Sequence, residues 1–274
     1  MAARIVSTIV PMIAPTIVPI FTLLFGLAFG SFLNVCIARL PWHRSIVHPP
    51  SHCPGCKTPI RSRDNIPLLS YLILRGRCRA CRTPISWRYP AVELANALLW
   101  LACLLQFGLT LQGVGMAVLC FLLLGLAVMD AETLRLPDAF TLPGIALGLA
   151  WTAVTAPTGS RLATVLHAAL WSFAATVLLL AIALGYRAVR GRSGLGIGDA
   201  KLLAMLAAWL GPASALLILF LGVVMAAIYG FVLLVSRRAN ATTRIPLGAF
   251  LSLAALYAIF AGPDTIHWYL HLFL

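Results

Sequence analysis

Acidic side chains are scarce in this sequence. Only seven of its 274 residues are Asp or Glu, charged residues make up 10% of the chain, and 61% of the residues are hydrophobic. Soluble globular domains carry roughly 25% charged residues, so this composition excludes that class. Several apolar runs reach the roughly 20 residues that a helix needs to cross a bilayer. The sequence therefore predicts an all-α polytopic membrane protein.

The positive charges are numerous but unevenly placed. The formal net charge is +13, and ten of the 20 Lys and Arg residues lie between Arg39 and Arg88. Eight more fall in the later loops and at helix ends, so eighteen share one side if the apolar runs alternate across the membrane. The positive-inside rule assigns that side to the cytoplasm. The basic excess therefore sets the topology, and we expect membrane lipid rather than nucleic acid as its partner.

Eight apolar segments divide the chain and place both termini outside. The sixth segment is short because Gly211-Pro212 ends it, since proline cannot continue a helix; a tilted or re-entrant helix is the alternative to a full crossing there. No internal repeat is evident. The expected domains are a first span over 1–38, a cytoplasmic domain over 39–89 and a membrane domain over 90–274. The segments are 17–38, 90–108, 113–130, 139–156, 163–187, 200–210, 214–236 and 246–262.

Four of the seven cysteines form two C-x-x-C pairs in the 39–89 segment. The pairs are Cys53/Cys56 and Cys78/Cys81, with 21 residues between them. Such pairs present four thiolates to one tetrahedral zinc ion, and cytoplasmic thiols stay reduced, which argues against disulfides. A small domain with few aliphatic residues gains its stability from such a metal. We expect structural zinc at these cysteines, with a neighbouring histidine in place of one cysteine as the alternative.

Two acids stand at the ends of apolar segments. Asp130 follows the run 114–129, and Asp199 follows Gly196 and Gly198 at the start of the sixth segment. An acid placed inside a membrane span is costly, at about 2.5–3.5 kcal/mol on insertion scales for the span centre. Both acids are expected at the cytoplasmic edge, and two carboxylates that share one proton are the machinery of aspartic proteolysis. The glycines would let a peptide backbone approach closely.

Each acid also has a structural interpretation. Asp199 is well placed to cap the helix that it opens, and Asp138 is placed similarly before the fourth segment. Asp130 could be an interfacial acid paired with Arg135, and Glu132 a solvated loop acid. The conjunction of two acids at one membrane face, one of them beside two glycines, favours the catalytic interpretation for Asp130 and Asp199.

These motifs together resemble those of the bacterial type IV prepilin peptidases. Residues 130–138 (DAETLRLPD) are similar to the first catalytic motif of that family, and residues 196–201 (GIGDAK) are similar to its second, the GxGD signature. The remaining matches follow the family's order along the chain. They are 30–35 (GSFLNV), 39–41 (RLP), 51–56 (SHCPGC), 65–71 (NIPLLSY), 75–78 (RGRC) and 88–93 (RYPAVE).

The resemblance implies a function in the bacterial inner membrane. It identifies Asp130 and Asp199 as catalytic aspartates that cleave a basic leader from prepilins and pseudopilins at the cytoplasmic face. It also implies methylation of the new N-terminus with S-adenosylmethionine, with the 39–89 domain associated with that step. Because the 39–89 domain is itself basic, Glu132 or Asp138 is the better candidate to contact the basic leader.

Three other functions compete with this one. A peptidase without methyl transfer is the nearest, and the presence of the whole 39–89 segment argues against it. An ion- or proton-coupled transporter would distribute its acids through the bilayer depth, whereas the candidate acids here cluster at one edge. A non-enzymatic assembly factor for pili or secretion would leave the two placed aspartates unexplained.

Overall fold

The computed structural model describes the backbone of residues 2–191, 196–237 and 243–273. These residues form α-helices joined by turns and two single-turn 3₁₀-helices, Leu40–Trp42 and Ser62–Asp64, without an extended strand. The α-helices are α1 Ala2–Arg39, α2 Leu69–Ile73, α3 Arg88–Phe107, α4 Leu111–Thr133, α5 Asp138–Thr155, α6 Arg161–Arg190, α7 Ile197–Val235 and α8 Leu247–Phe273.

Six of these helices are long and apolar enough to cross a membrane, within the ranges that the structure describes. They are α1 from Thr16 onward, α3, α4, α6, α7 and α8. The prediction of an all-α polytopic membrane protein is confirmed. The eighteen-residue α5 coincides with the expected fourth span, and α7 contains both the sixth and the seventh. The count of eight spans therefore stays a prediction.

A kink divides α7 where the sequence predicts a helix end. Gly211 has φ 78° and ψ 174°, which is not helical, and Pro212 follows it. A positive φ of this kind favours glycine because a Cβ would clash with the backbone. The proline cannot donate the backbone hydrogen bond that would continue the first half into the second. The helix is therefore two segments in sequence, 197–210 and 212–235.

The chain divides into two compact units, residues 1–121 and 122–274. In the first unit, α1 and α3 pack closely through small residues on α1. A Cβ on Gly26 would lie 2.6 Å from Ala97 Cα, and one on Gly30 would lie 2.7 Å from Glu93 Cα. Small residues allow such close approach between membrane helices. The buried Asn96 side chain, whose Nδ2 donates to the Gly26 carbonyl at 2.7 Å, fixes the register of this pair.

The first half of α7 forms the centre of the second unit. Residues 202–209 are all buried, as expected for a helix that is apolar on every side. Side chains of the neighbouring helices bind this segment: Ser172 Oγ donates to the Ala204 carbonyl at 2.9 Å. A side chain of α7 also binds a neighbouring helix: Trp209 Nε1 donates to the Gly144 carbonyl of α5 at 2.8 Å. Because this half-helix is held on several sides, the position of Asp199 in its first turn is well fixed.

Candidate active site and metal centre

Asp130 lies in the last turn of α4, inside the second unit. Its side chain is only 5% exposed, and its Oδ2 accepts a hydrogen bond from the backbone N–H of Ala249 at 2.9 Å. The helix ends three residues later, where Leu134 adopts a left-handed φ of 54° and its N–H donates to the Asp130 carbonyl at 2.8 Å. Asp130 is therefore a buried acid at a helix end, held by a backbone donor from α8.

Asp199 lies in the first turn of α7 and is partly buried. Its Oδ2 accepts a hydrogen bond from the Gly196 N–H at 3.1 Å, and its own N–H donates to the Gly196 carbonyl at 3.2 Å. This is the side-chain half of a capping box, in which the third helical residue reaches back to the residue before the helix. The interpretation of Asp199 as the N-cap is wrong, because Gly196 occupies that position and Asp199 is the third helical residue. Its contact with the Gly196 N–H leaves the second carboxylate oxygen for other contacts.

The two aspartates come together at the start of α8. The Ala249 backbone N–H donates to Asp130 Oδ2 at 2.9 Å, and the Gly248 backbone lies beside both carboxylates. The two carboxylates are also close enough to interact electrostatically. Acids that are 69 residues apart in sequence thus lie together at the start of α8. Two adjacent carboxylates that hold one proton can activate water and polarise a carbonyl at the same time.

Leu136 packs between the glycines of two helix starts. A Cβ on Gly198 would lie 2.9 Å from Leu136 Cβ, and one on Gly248 would lie 2.7 Å from Leu136 Cδ1. Both glycines therefore allow the loop after Asp130 to approach α7 and α8. By contrast, Gly196 has φ −86°, a conformation open to other residues, and its space is limited mainly by the Asp199 carboxylate.

Glu132 and Asp138, the candidate leader contacts, are both exposed. Glu132 is in the last turn of α4. Asp138 is the first residue of α5, and its Oδ1 lies 2.6 Å from Lys201 Nζ. The interpretation of Asp138 as a helix cap is wrong, because Pro137 occupies the cap position and the Asp138 carboxylate binds Lys201 instead.

The four cysteines of the C-x-x-C pairs converge in the first unit. The sulfur atoms of Cys53, Cys56, Cys78 and Cys81 all lie within 4.8 Å of one another, and Cys53 Sγ is 3.7 Å from Cys81 Sγ. Four sulfurs at about 2.3 Å from a tetrahedral zinc ion have this spacing. This metal group, found among the described residues, contains none of the nearby histidines. The predicted ligand set is the one that the fold assembles.

The two cysteine pairs are copies of one local structure. In the first, Cys53 N–H donates to Thr58 O at 3.0 Å and Lys57 has φ 59°. In the second, Cys78 N–H donates to Thr83 O at 2.9 Å and Arg82 has φ 60°. The sequence pattern C-x-x-C-[KR]-T-P-I occurs at 53–60 and again at 78–85. The expectation that the chain contains no internal repeat is therefore wrong.

A threonine hydroxyl lies beside one sulfur of each copy. Thr58 Oγ1 is 3.2 Å from Cys56 Sγ, and Thr83 Oγ1 is 3.1 Å from Cys81 Sγ. Hydrogen bonding with Thr83 lowers the pKa of Cys81 to about 6, and hydrogen bonding with Thr58 lowers the pKa of Cys56. Thiolates rather than thiols bind metal, so these two sulfurs are suited to zinc. With four sulfur ligands, a bound ion has no open position for chemistry.

The fold and these two sites define the class of the molecule. It is a multi-pass α-helical membrane protein with two neighbouring carboxylates in one compact unit and a four-cysteine cluster in the other.

Comparison with known proteins gives the family. Residues 24–107 match the bacterial peptidase A24 N-terminal domain, and residues 117–231 match the type IV leader peptidase family. A prepilin leader peptidase/N-methyltransferase of Aeromonas hydrophila is 35% identical over 268 residues, covering 89% of this chain and 91% of the relative. That of Pseudomonas aeruginosa is 36% identical over 263 residues, covering 88% and 89%. The chain belongs to the type IV leader peptidase family, and no solved structure matches it.

Sequence reasoning missed the contribution of α8. Gly248 and Ala249 act through backbone N–H groups, which every non-proline residue possesses, so their side chains give no chemical signal. One feature of the sequence could have indicated a close approach of the backbone there: Gly248 follows Pro246 by two residues, at the expected start of the last span. The duplicated cysteine segment was detectable directly, since its two copies are offset by a constant 25 positions.

Proposed function

We propose that this protein cleaves the basic leader of prepilins and pseudopilins and methylates the new N-terminus. The observation that carries the proteolytic part is the proximity of Asp130 and Asp199 at the start of α8. The names of its relatives, prepilin leader peptidase/N-methyltransferase, support both activities.

The two aspartates share one proton; one of them acts on the attacking water and the other on the scissile carbonyl. The charged carboxylate takes a proton from water, whose oxygen attacks the scissile carbonyl, while the protonated carboxyl donates to the carbonyl oxygen. A tetrahedral gem-diol results. When it collapses, one gem-diol hydroxyl gives its proton to the charged carboxylate, the C–N bond breaks, and the new amine takes the proton of the other carboxyl, so the pair is again singly protonated. No covalent enzyme intermediate forms, and water is the nucleophile.

Glu132 and Asp138 are the proposed contacts for the basic leader. Both carboxylates are exposed. Glu132 lies two residues after Asp130 on the last turn of α4, and Asp138 is the first residue of α5.

The cysteine cluster is the proposed site of a structural zinc ion in the segment 39–89. Cys53 and Cys56 of the first pair and Cys78 and Cys81 of the second would hold the ion, and so would be joined although the two short copies have little core of their own. Together with the first span over 1–38 and the membrane domain over 90–274, this segment completes the proposed domain organisation. S-adenosylmethionine is the proposed methyl donor and second substrate, and the N-methyltransferase activity in the relatives' names supports the methylation step.

The positive charges give the proposed orientation. The 39–89 segment and the ends of α4 and α7 that carry the two aspartates face the cytoplasm from the inner membrane, where the positive-inside rule places basic loops. With eight crossings both termini lie outside, and the cytoplasmic basic surface meets anionic lipid head groups.

Mass spectrometry of a purified prepilin tests this proposal. The detergent-solubilised protein is incubated with the prepilin, with and without S-adenosylmethionine. We expect loss of the leader in both reactions and one added methyl group only with the methyl donor. Cleavage without methylation would establish the peptidase-only alternative, and an intact leader in both reactions would contradict the proposal.

A further inference from the structure

The first backbone N–H groups of α8 have no partner within their own helix. The first turn of any α-helix leaves such donors, because the carbonyls four residues earlier precede the helix. In α8, which begins at Leu247, the Leu247 N–H donates to Ile245 O at 2.9 Å. The Ala249 N–H donates to Asp130 Oδ2 at 2.9 Å, and the Gly248 backbone lies beside both aspartates. Asp130 thus caps a helix that begins 117 residues after it.

The approach is so close that a side chain at position 248 would disturb it. A Cβ on Gly248 would lie 3.1 Å from Asp130 Oδ2, and 2.7 Å from Leu136 Cδ1. The leucine methyl is the end of a flexible side chain and can move. The carboxylate is held by the Ala249 N–H and is buried, so its displacement changes the geometry of the pair.

We propose that Gly248 and Ala249 are positioning residues for the two aspartates. Their amides set the separation and orientation of the carboxylates, and glycine at 248 allows the helix start to reach them. This inference rests on the proposed function, because it assigns a part in the reaction of the aspartate pair. It adds a third element, α8, to the two motifs that supply the aspartates. A misplacement of about 1 Å in such a site can cost about 10²-fold in rate.

The substitution Gly248→Ala tests the proposal, with Gly222→Ala as its matched control. A Cβ on Gly222 would lie 2.7 Å from Leu251 Cδ2 and 3.2 Å from Leu251 Cα, so this variant introduces a clash of similar distances where α7 packs against α8. The clash at Gly222 involves no carboxylate. Purified variants are compared by kcat, KM and the pH dependence of kcat in prepilin cleavage, and by thermal unfolding.

The double variant Leu136→Ala/Gly248→Ala separates packing from carboxylate contact. It removes the leucine methyl that the new Cβ at position 248 would meet and keeps the 3.1 Å contact with Asp130. We expect kcat to fall at least about tenfold in Gly248→Ala and to stay low in the double variant, with KM changed less than about threefold. We also expect a shifted pH profile in Gly248→Ala and a near-normal kcat in Gly222→Ala.

Two results would overturn the inference. One is an equal loss of kcat in Gly248→Ala and Gly222→Ala with unchanged pH profiles, which a purely structural role would produce. The other is recovery of kcat in the double variant relative to Gly248→Ala, which would assign the effect to Leu136. Either leaves the proposed function intact, because that function is tested separately, by prepilin cleavage with the wild type and with variants of Asp130 and Asp199.

Discussion

Lys201 Nζ lies 2.6 Å from Asp138 Oδ1 and joins the segments that carry the two aspartates. Lys201 is two residues after Asp199 on α7, and Asp138 is the first residue of α5, eight residues after Asp130. The ion pair therefore closes the loop between α4 and α5 against the start of α7. It is partly exposed, with 28% of the Lys201 side chain and 58% of the Asp138 side chain accessible.

Exchange of these two charges tests whether the ion pair positions the site. We expect Lys201→Asp and Asp138→Lys each to lower kcat for prepilin cleavage, because like charges then face each other across the loop. The double exchange restores opposite charges and should recover part of the lost kcat. Exposed pairs are worth about 0.2–1 kcal/mol, so the unfolding transition should move little. Absence of any recovery in the double variant would show that the two residues act independently.

Glu132 should recognise positive charge on the leader. We expect Glu132→Lys to raise KM for a prepilin with a basic leader, and a leader with Lys→Glu substitutions to recover cleavage by that variant. Asp138→Asn provides the comparison. A change in KM of the same size would assign leader contact to both carboxylates. If the reversed leader does not rescue Glu132→Lys, the leader is bound elsewhere.

Metal analysis of purified protein should find one zinc ion per chain. We expect Cys56→Ser and Cys81→Ser each to lose the ion, because a tetrahedral site with three sulfurs binds zinc less well. Structural zinc contributes about 10–16 kcal/mol of binding free energy in small domains, so the 39–89 segment should become sensitive to protease. Cys36→Ala is the control, since Cys36 is buried outside the cluster. Retention of zinc by the two serine variants would contradict the assignment.

The two glycines of the GxGD motif should tolerate alanine unequally. A Cβ on Gly198 would lie 2.9 Å from Leu136 Cβ, whereas the nearest atom to one on Gly196 is Asp199 Oδ2 at 3.2 Å. Since Leu136 Cβ cannot move without its backbone, Gly198→Ala should displace the loop before α5. We therefore expect a larger fall in kcat for Gly198→Ala than for Gly196→Ala, measured at equal zinc content. The reverse order would exclude this packing as the reason for glycine at 198.

Sequence patterns predicted those parts of the molecule that depend on side-chain type. The apolar runs predicted the helices, and the spacing of Cys53, Cys56, Cys78 and Cys81 predicted a cluster that the structure assembles. The apolar segment 200–210 is short for a full span because it is the buried first half of α7, ended by the Gly211 kink. Its many apolar residues serve packing inside the second unit as well as the membrane environment.

The remaining features depend on backbone groups and on packing. The N–H groups of Gly248 and Ala249 reach the aspartates from a helix start more than a hundred residues beyond Asp130, and a single sequence contains no signal for that distance. The contact of Lys201 with Asp138 likewise depends on how α5 and α7 pack. The repeated cysteine segment differs: it was visible in the sequence as C-x-x-C-[KR]-T-P-I and was missed.

Cleavage of a purified prepilin by wild type, Asp130→Asn and Asp199→Asn tests the central claim most directly. Asparagine keeps the size of each side chain and removes its ability to exchange a proton, which in acid–base catalysis costs about 10²–10⁴-fold. We predict a loss of this size in each single variant, with zinc content and thermal unfolding unchanged. Wild-type cleavage by either variant would contradict the two-aspartate mechanism.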